Sequence, residues 1–232
     1  MRRSLAVAGV VAAGLLTACS SAPPGPHTVT LTAAIGQSAA TLNVLTGTAL
    51  LKIGMADFGA GGSLLRVSTP AGAPPPHLRD ATAQPRSGTV VDLSAPGASS
   101  VTVTLNTAVS WQLNLGGGTT RTSADLRAGQ VTGIAFTAGS DVISLALPRP
   151  HGSVPVRLAG GASRFLVSLP SGVQARVTTA GGAGEVSLEG DEHVGVAGGS
   201  VFTTPGWAAD AAGFDVTATA GAAQVAVTAR PS

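Results

Sequence analysis

Val154-Pro155-Val156-Arg157-Leu158-Ala159-Gly160-Gly161-Ala162-Ser163-Arg164-Phe165-Leu166-Val167-Ser168-Leu169-Pro170 contains two runs of alternating apolar and polar residues, joined across a Gly-Gly turn. In an extended chain successive side chains point to opposite faces, so each run reads as a strand with one buried face and one wet face. The same phrase recurs. Its turn glycines fall at Gly97, Gly117, Gly139, Gly161, Gly182, Gly199 and Gly221, in steps of 20, 22, 22, 21, 17 and 22, with looser copies at Gly36 and at Gly61-Gly62. A fixed period of this kind is the mark of a repeat architecture.

Alternation flanks these turns at Val101/Val103/Leu105, Trp111/Leu113/Leu115, Ile143/Leu145/Leu147, Val154/Val156/Leu158, Phe165/Val167/Leu169, Val173/Ala175/Val177 and Val225/Val227. The intervening positions carry Thr, Ser, Arg and Gln, as a half-buried sheet requires. No stretch of the mature chain shows a capped 3.6-residue period, so the expectation is an all-β domain. A step near 21 residues suits one coil of a β-solenoid, whose rungs bury their apolar faces by stacking on each other. Small residues then belong at the corners, where they permit tight turns. The reading is a single-domain β-solenoid of about 20-residue rungs with Gly-rich corners. An antiparallel β-sandwich is the alternative, because Gly-Gly between alternating runs is also a hairpin signal.

Composition points the same way. The chain has 232 residues, 32 Gly, 15 Pro, no Tyr and 3% aromatic residues, with 10% charged. Low charge argues against disorder, and scarce aromatics argue against an enzyme built around an aromatic cleft. The net charge of +2 comes from Arg2 and Arg3. Without them eleven basic residues face eleven acidic ones, and no basic patch remains to follow a nucleic-acid backbone.

The N-terminus carries an address. Arg2 and Arg3 precede an unbroken apolar run, Leu5 to Leu16. This is the layout of a secretory signal peptide, too short for a membrane span. The run ends in Leu16-Thr17-Ala18-Cys19, which resembles the lipobox of bacterial lipoproteins. That resemblance implies lipidation of Cys19 as the first mature residue. Cys19 is the single cysteine, so an intramolecular disulfide and a multi-thiolate metal site are excluded. The division is therefore 1–18 lipoprotein signal peptide, 19–28 flexible Ser/Pro/Gly tether and 29–232 repetitive β domain. Within it the Pro-rich stretch 70–88 reads as a long surface loop.

Three segments carry a wider resemblance. Trp111-Gln112-Leu113-Asn114-Leu115-Gly116-Gly117-Gly118, Leu147-Pro148-Arg149-Pro150-His151-Gly152-Ser153-Val154-Pro155-Val156 with the Gly-Gly-Ala-Ser turn after it, and Ile53-Gly54-Met55-Ala56-Asp57 followed by Leu64-Leu65-Arg66-Val67 make the chain similar to the toast-rack-like β-solenoid domains of bacterial cell-envelope proteins. The resemblance implies a fold and an envelope location, and brings no catalytic residues with it.

A search for chemistry finds little. Lys52, the single lysine, follows Leu51, outside any Gly-Lys-Ser/Thr phosphate loop; Asp57-Phe58-Gly59 lacks the rest of a kinase constellation; Gly116-Gly117-Gly118 precedes Arg121 and no helix. His27, His77, His151 and His193 have no zinc-type spacing. In Asp191-Glu192-His193 the first and third residues share a strand face and the second does not. Arg157 and Arg176, 19 residues apart on outward positions, are expected to stack as a basic surface-binding stripe for anionic lipid or wall polymer. Trp111 and Trp207 read as core or cap residues. The resulting expectation is an exported lipoprotein held on the outer face of the cell membrane through Cys19. It acts as a non-catalytic structural or interaction module of the envelope, with an envelope protein or wall polymer as partner and without cofactor, metal, nucleotide or nucleic acid. The alternative is an extracytoplasmic polysaccharide hydrolase or lyase on a β-solenoid, for which Asp141, Glu185 and Glu189 are the candidate acids.

Overall fold

The computed structural model describes residues 25–34, 36–59, 61–82 and 88–230. Cys19, the signal peptide and most of the tether lie outside them. The described residues form nineteen strands and no helix, so none among them is long and apolar enough to cross a membrane. The first seven strands are β1 (His27–Thr32), β2 (Ala39–Val44), β3 (Thr48–Ala56), β4 (Ser63–Thr69), β5 (His77–Asp80), β6 (Thr89–Ser94) and β7 (Ser100–Asn106). The middle six are β8 (Ser110–Leu115), β9 (Thr119–Asp125), β10 (Gln130–Phe136), β11 (Ser140–Ala146), β12 (Ser153–Leu158) and β13 (Ala162–Pro170). The last six are β14 (Gln174–Thr179), β15 (Ala183–Leu188), β16 (Asp191–Val196), β17 (Ser200–Thr203), β18 (Gly213–Ala218) and β19 (Ala222–Arg230).

These strands make two mixed sheets, ordered β1-β4-β7-β3-β9-β11-β13-β19-β15-β16 and β17-β14-β18-β12-β10-β8-β2-β6-β5. From β6 through β15 consecutive strands alternate between the sheets, and neighbours within each sheet run parallel. Antiparallel pairs are confined to the outer strands, at β1/β4, β4/β7, β5/β6, β14/β17 and β15/β16. In the centre the pairing is parallel and not antiparallel, because its Gly-Gly turns carry the chain across to the other sheet and do not close hairpins, while the two open sheets keep a sandwich-like arrangement.

The alternation read from the sequence is the alternation of burial. Trp111, Leu113 and Leu115 of β8 are buried between half-exposed Gln112 and Asn114, and β12, β13, β14 and β19 repeat the pattern. Their inward side chains form one continuous core. Phe136 of β10 meets Phe165 of β13 edge to face, with ring centroids 5.9 Å apart, which ties the two sheets together. Each fully buried Leu or Phe contributes about 1.5–3 kcal/mol. Trp111 is fully buried, and its indole N–H donates to the Asn106 carbonyl at 3.0 Å, so it enters the core with no unsatisfied donor.

Gly97, Gly182 and Gly199 have the positive φ that a tight turn uses, as expected, but two central corner glycines have a different role. Gly117 and Gly160 lack positive φ, so a tight turn does not require them. A Cβ at Gly117 would overlap the Thr46 peptide, and one at Gly160 would overlap the carbonyl of Ala138. Close stacking of successive corners excludes a side chain. The stacking is hydrogen-bonded: Thr48 N donates to Gly118 O at 3.1 Å, Thr119 N to Gly139 O at 3.2 Å and Ser140 N to Gly161 O at 3.0 Å.

Two boundaries differ from the sequence reading. β1 begins at His27, inside the stretch read as tether. The Pro-rich stretch is not wholly a loop: His77–Asp80 pairs antiparallel with β6, and the pairing continues through Ala81 N to Val90 O at 2.8 Å. Pro74, Pro75 and Pro76 lie just before β5, which contains no proline and is the outermost strand of its sheet.

Candidate functional site

The outer face of the nine-stranded sheet carries Arg157 on β12 and Arg176 on β14. Both point outward as expected, but they do not stack, because β18 lies between their strands. Arg157 stands opposite Thr217 and Arg176 opposite Asp215. The Arg176 guanidinium donates to both Asp215 carboxylate oxygens, Nε to Oδ1 at 3.1 Å, and lies 5.7 Å from the centre of the Trp207 ring. The Asp215 hydrogen bonds push the Arg176 pKa up. This arginine is committed to its neighbours, and the expected stripe is interrupted by a carboxylate.

Farther along this face a one-way amide ladder crosses three strands. Asn114 Nδ2 donates to Asn43 Oδ1 at 2.9 Å, and Asn43 Nδ2 donates to Asp92 Oδ1 at 2.8 Å. Each donor points toward Asp92, opposite which stands Arg79 of β5.

The outer face of the ten-stranded sheet is shaped differently. In register across β9, β11, β13 and β19, the side chains of Asp125, Ala146, Ser168 and Thr228 are mostly small, as are Ser123 and Ser144 one row over. Missing bulk leaves a shallow groove of about 400 Å³. At its end Asp125 adjoins a hollow lined by Gly54, Met55 and Arg127, and Arg127 in turn borders a cavity of about 370 Å³. Exposed Arg121 and Arg164 flank the opposite side of the groove, in register with Val142.

The 370 Å³ cavity is walled by Leu147, Pro148, Pro170 and Ser171 and carries three arginines. Arg127 Nε donates to Asp125 Oδ1 at 2.7 Å, and a second Arg127 nitrogen donates to Oδ2. These hydrogen bonds, with the charges of Arg127 and Arg230, hold the Asp125 carboxyl below its ordinary range against a smaller opposing effect of burial. Arg149 Nη2 donates to Ser171 O at 3.2 Å, and Arg230 Nη2 to Leu147 O at 2.8 Å. The Arg230 Nε–H is buried and has no acceptor among the described residues. An unmade buried donor of this kind costs about 1–3 kcal/mol.

Arg157 and Arg176 do not meet, whereas Arg127 and Arg149 line one cavity. Arg127 and Arg149 are 22 residues apart, one full repeat; Arg127 directly follows buried Leu126, and Arg149 comes two residues after buried Leu147. That spacing was the available signal. Arg230 had none, because its strand joins the site out of sequence order.

The remaining candidates are scattered. His193 and Asp191 stand opposite Val186 and Leu188 on one face of β16, while Glu192 takes the other, as the alternation requires. The His193 ring covers Phe202 at 4.5 Å and closes one end of the core. Among the described residues no group of three or more His, Cys, Asp or Glu gathers to hold a metal. Asp141 lies on β11 and Glu185 on β15, with β13 and β19 between them, a separation of roughly 14 Å at the usual strand spacing. Glu189 occupies the turn after β15, and Glu185 accepts from Gln224 Nε2 at 3.0 Å. The facing carboxylate pair that glycoside hydrolysis uses is not formed by these three.

Neither a scan against family models nor a search of curated proteins finds a match. Among solved structures the chain is similar to a candidate cell adhesion protein of Clostridium sporogenes, with 17% sequence identity and a TM-score of 0.60 over 87% of this chain and 99% of that one. At that identity the likeness shows a shared all-β fold.

Proposed function

We propose that the chain is an exported lipoprotein, anchored through Cys19 to the outer face of the cell membrane, whose β domain is a non-catalytic interaction module of the cell envelope. On this reading each pair of strands that crosses from the nine-stranded to the ten-stranded sheet is one rung of a β-solenoid of about 20 residues. The observation that supports it is the alternation of strands between two parallel stacks, which leaves long outer faces free of covering helices. Such faces suit contact with an extended partner, an envelope protein or a wall polymer. The adhesion description of the Clostridium sporogenes protein agrees with a contact role.

The test is expression of the full gene in a bacterium that processes lipoproteins, beside a Cys19→Ala version. The expected product starts at Cys19, carries the mass of added acyl chains and sediments with membranes, while Cys19→Ala stays unacylated. A wild-type product without acyl chains that remains freely soluble would overturn the anchored reading.

A further inference from the structure

We propose that Arg127, Arg149 and Arg230 form a binding site for a phosphoryl group. Arg127 and Arg149 follow β9 and β11, Arg230 ends β19, and the three guanidinium groups line one cavity beside the C-terminal ends of these strands of the ten-stranded sheet. Two are held from behind: Arg149 by the Ser171 carbonyl and Arg230 by the Leu147 carbonyl, each through a single Nη2 donor. A guanidinium has five N–H groups in a rigid fork, so most of each fork is left for a ligand.

Arg230 supplies the pointer to an acceptor. Its Nε–H is removed from water and meets no acceptor among the described residues. The wall residues Leu147, Pro148 and Pro170 bring no charged side chain to the cavity. Charge sets the class of ligand. Among the described residues, three guanidinium groups against the one Asp125 carboxylate leave the site near +2, which matches a phosphate or phosphate monoester at about −1.5 to −2. Arginine forks match phosphate oxygens two at a time and stay protonated across the working pH range. Asp125 restrains the site by occupying Arg127.

This proposal names the ligand chemistry of the envelope-contact reading and rests on it for the source of the phosphate, which is either free in the medium or borne on a lipid headgroup. Inorganic phosphate is the first probe, titrated calorimetrically into the purified full chain against chloride at equal ionic strength. Saturable binding is expected, weakened about tenfold by Arg149→Gln, which removes one charge-assisted contact from an exposed side chain. Asp125→Asn is expected to tighten binding severalfold, because it frees Arg127. Damage to the fold cannot produce that gain. Absence of saturable heat, or Arg149→Gln and Asp125→Asn both binding like the wild type, would overturn the site.

Vesicles of phosphatidylcholine with and without phosphatidic acid, added to the Cys19→Ala chain, then separate the sources. Retention that needs phosphatidic acid and falls in Arg149→Gln assigns a lipid headgroup; phosphate binding without such retention assigns free phosphate. The two readings fail independently. A soluble, unacylated product that binds phosphate removes the anchor and keeps the site, and an acylated product indifferent to phosphate does the opposite.

Discussion

The middle of the molecule and its two ends are built from the same strand pairs, assembled by different rules. From β8 to β13 the chain adds each pair beside the one before it. At one end β6 and β7 lie outside β2 and β3, although they follow them in sequence, and at the other β18 and β19 slip inside β14 and β15. A short alternating strand carries enough information to bury one face, and too little to choose its neighbour. Burial differs as well: β8 buries every second residue, whereas β16 is exposed at five of its six positions and leaves Val194 82% exposed.

The largest expected effect separates core from cap. Phe165→Ala, at a fully buried central position, should cost about 3–5 kcal/mol through lost burial and a residual cavity. Phe202→Ala, at the half-buried end beneath His193, should cost about 1–2 kcal/mol. Urea unfolding of both variants tests the pair. Equal losses would mean that the caps pack as tightly as the centre.

Corner glycines sharpen the contrast at intermediate size. Gly160→Ala drives a methyl into the Ala138 carbonyl and should cost about 1–3 kcal/mol, since backbone on both sides must move. Gly181→Ala meets Ala220 at 2.8 Å near the end of the stack, where the neighbouring turn can yield, and should cost less. Gly152→Ala has open space and should stay within about 0.5 kcal/mol. The same urea midpoints rank the three, and a harmless Gly160→Ala would remove close stacking as the reason for the glycine.

The amide ladder gives a smaller effect. Asn43→Ala strips the acceptor from Asn114 and the donor from Asp92, at a cost of about 1–2 kcal/mol in this half-buried row. Asp92→Asn keeps an acceptor oxygen for Asn43 and should be nearly silent. Thermal unfolding that ranks Asp92→Asn as the more damaging would show that charge, and not the hydrogen-bond chain, holds that face.

These expectations follow how the sequence could be read. Strand positions were legible wherever inward residues were large: Val101, Val103 and Leu105, or Phe165, Val167 and Leu169, alternate plainly and are buried. β9 escaped, because its inward residues are Thr122 and Ala124, which show no apolar alternation. β5 was hidden by the prolines before it. The Arg157/Arg176 stripe failed for a different reason, since it assumed that one repeat in sequence is one step in space. That holds in the middle, where Arg127 and Arg149 meet at one cavity, and fails at the end, where β18 puts Asp215 between the candidates.

The smallest expected effect links stability to the arginine cavity. Arg127's hydrogen bonds hold Asp125 below the ordinary carboxyl range. A carboxylate with a depressed folded pKa stabilises the fold above its unfolded value, near 3.9, and loses that contribution as pH falls through the folded value. Asp125→Asn should therefore be slightly less stable than the wild type near neutral pH, with the difference disappearing as pH falls through the folded value of Asp125. The pair is largely exposed, so added salt should shrink the difference as well. Asp80, on edge strand β5, is depressed by Thr82 hydrogen bonds, and no cationic partner holds it among the described residues. Asp80→Asn should show the same pH sign and far less response to salt. If both variants responded equally to salt, Arg127 would not be the group that holds Asp125. The tighter phosphate binding expected of Asp125→Asn would then lose its cause, because freeing Arg127 is what both effects require.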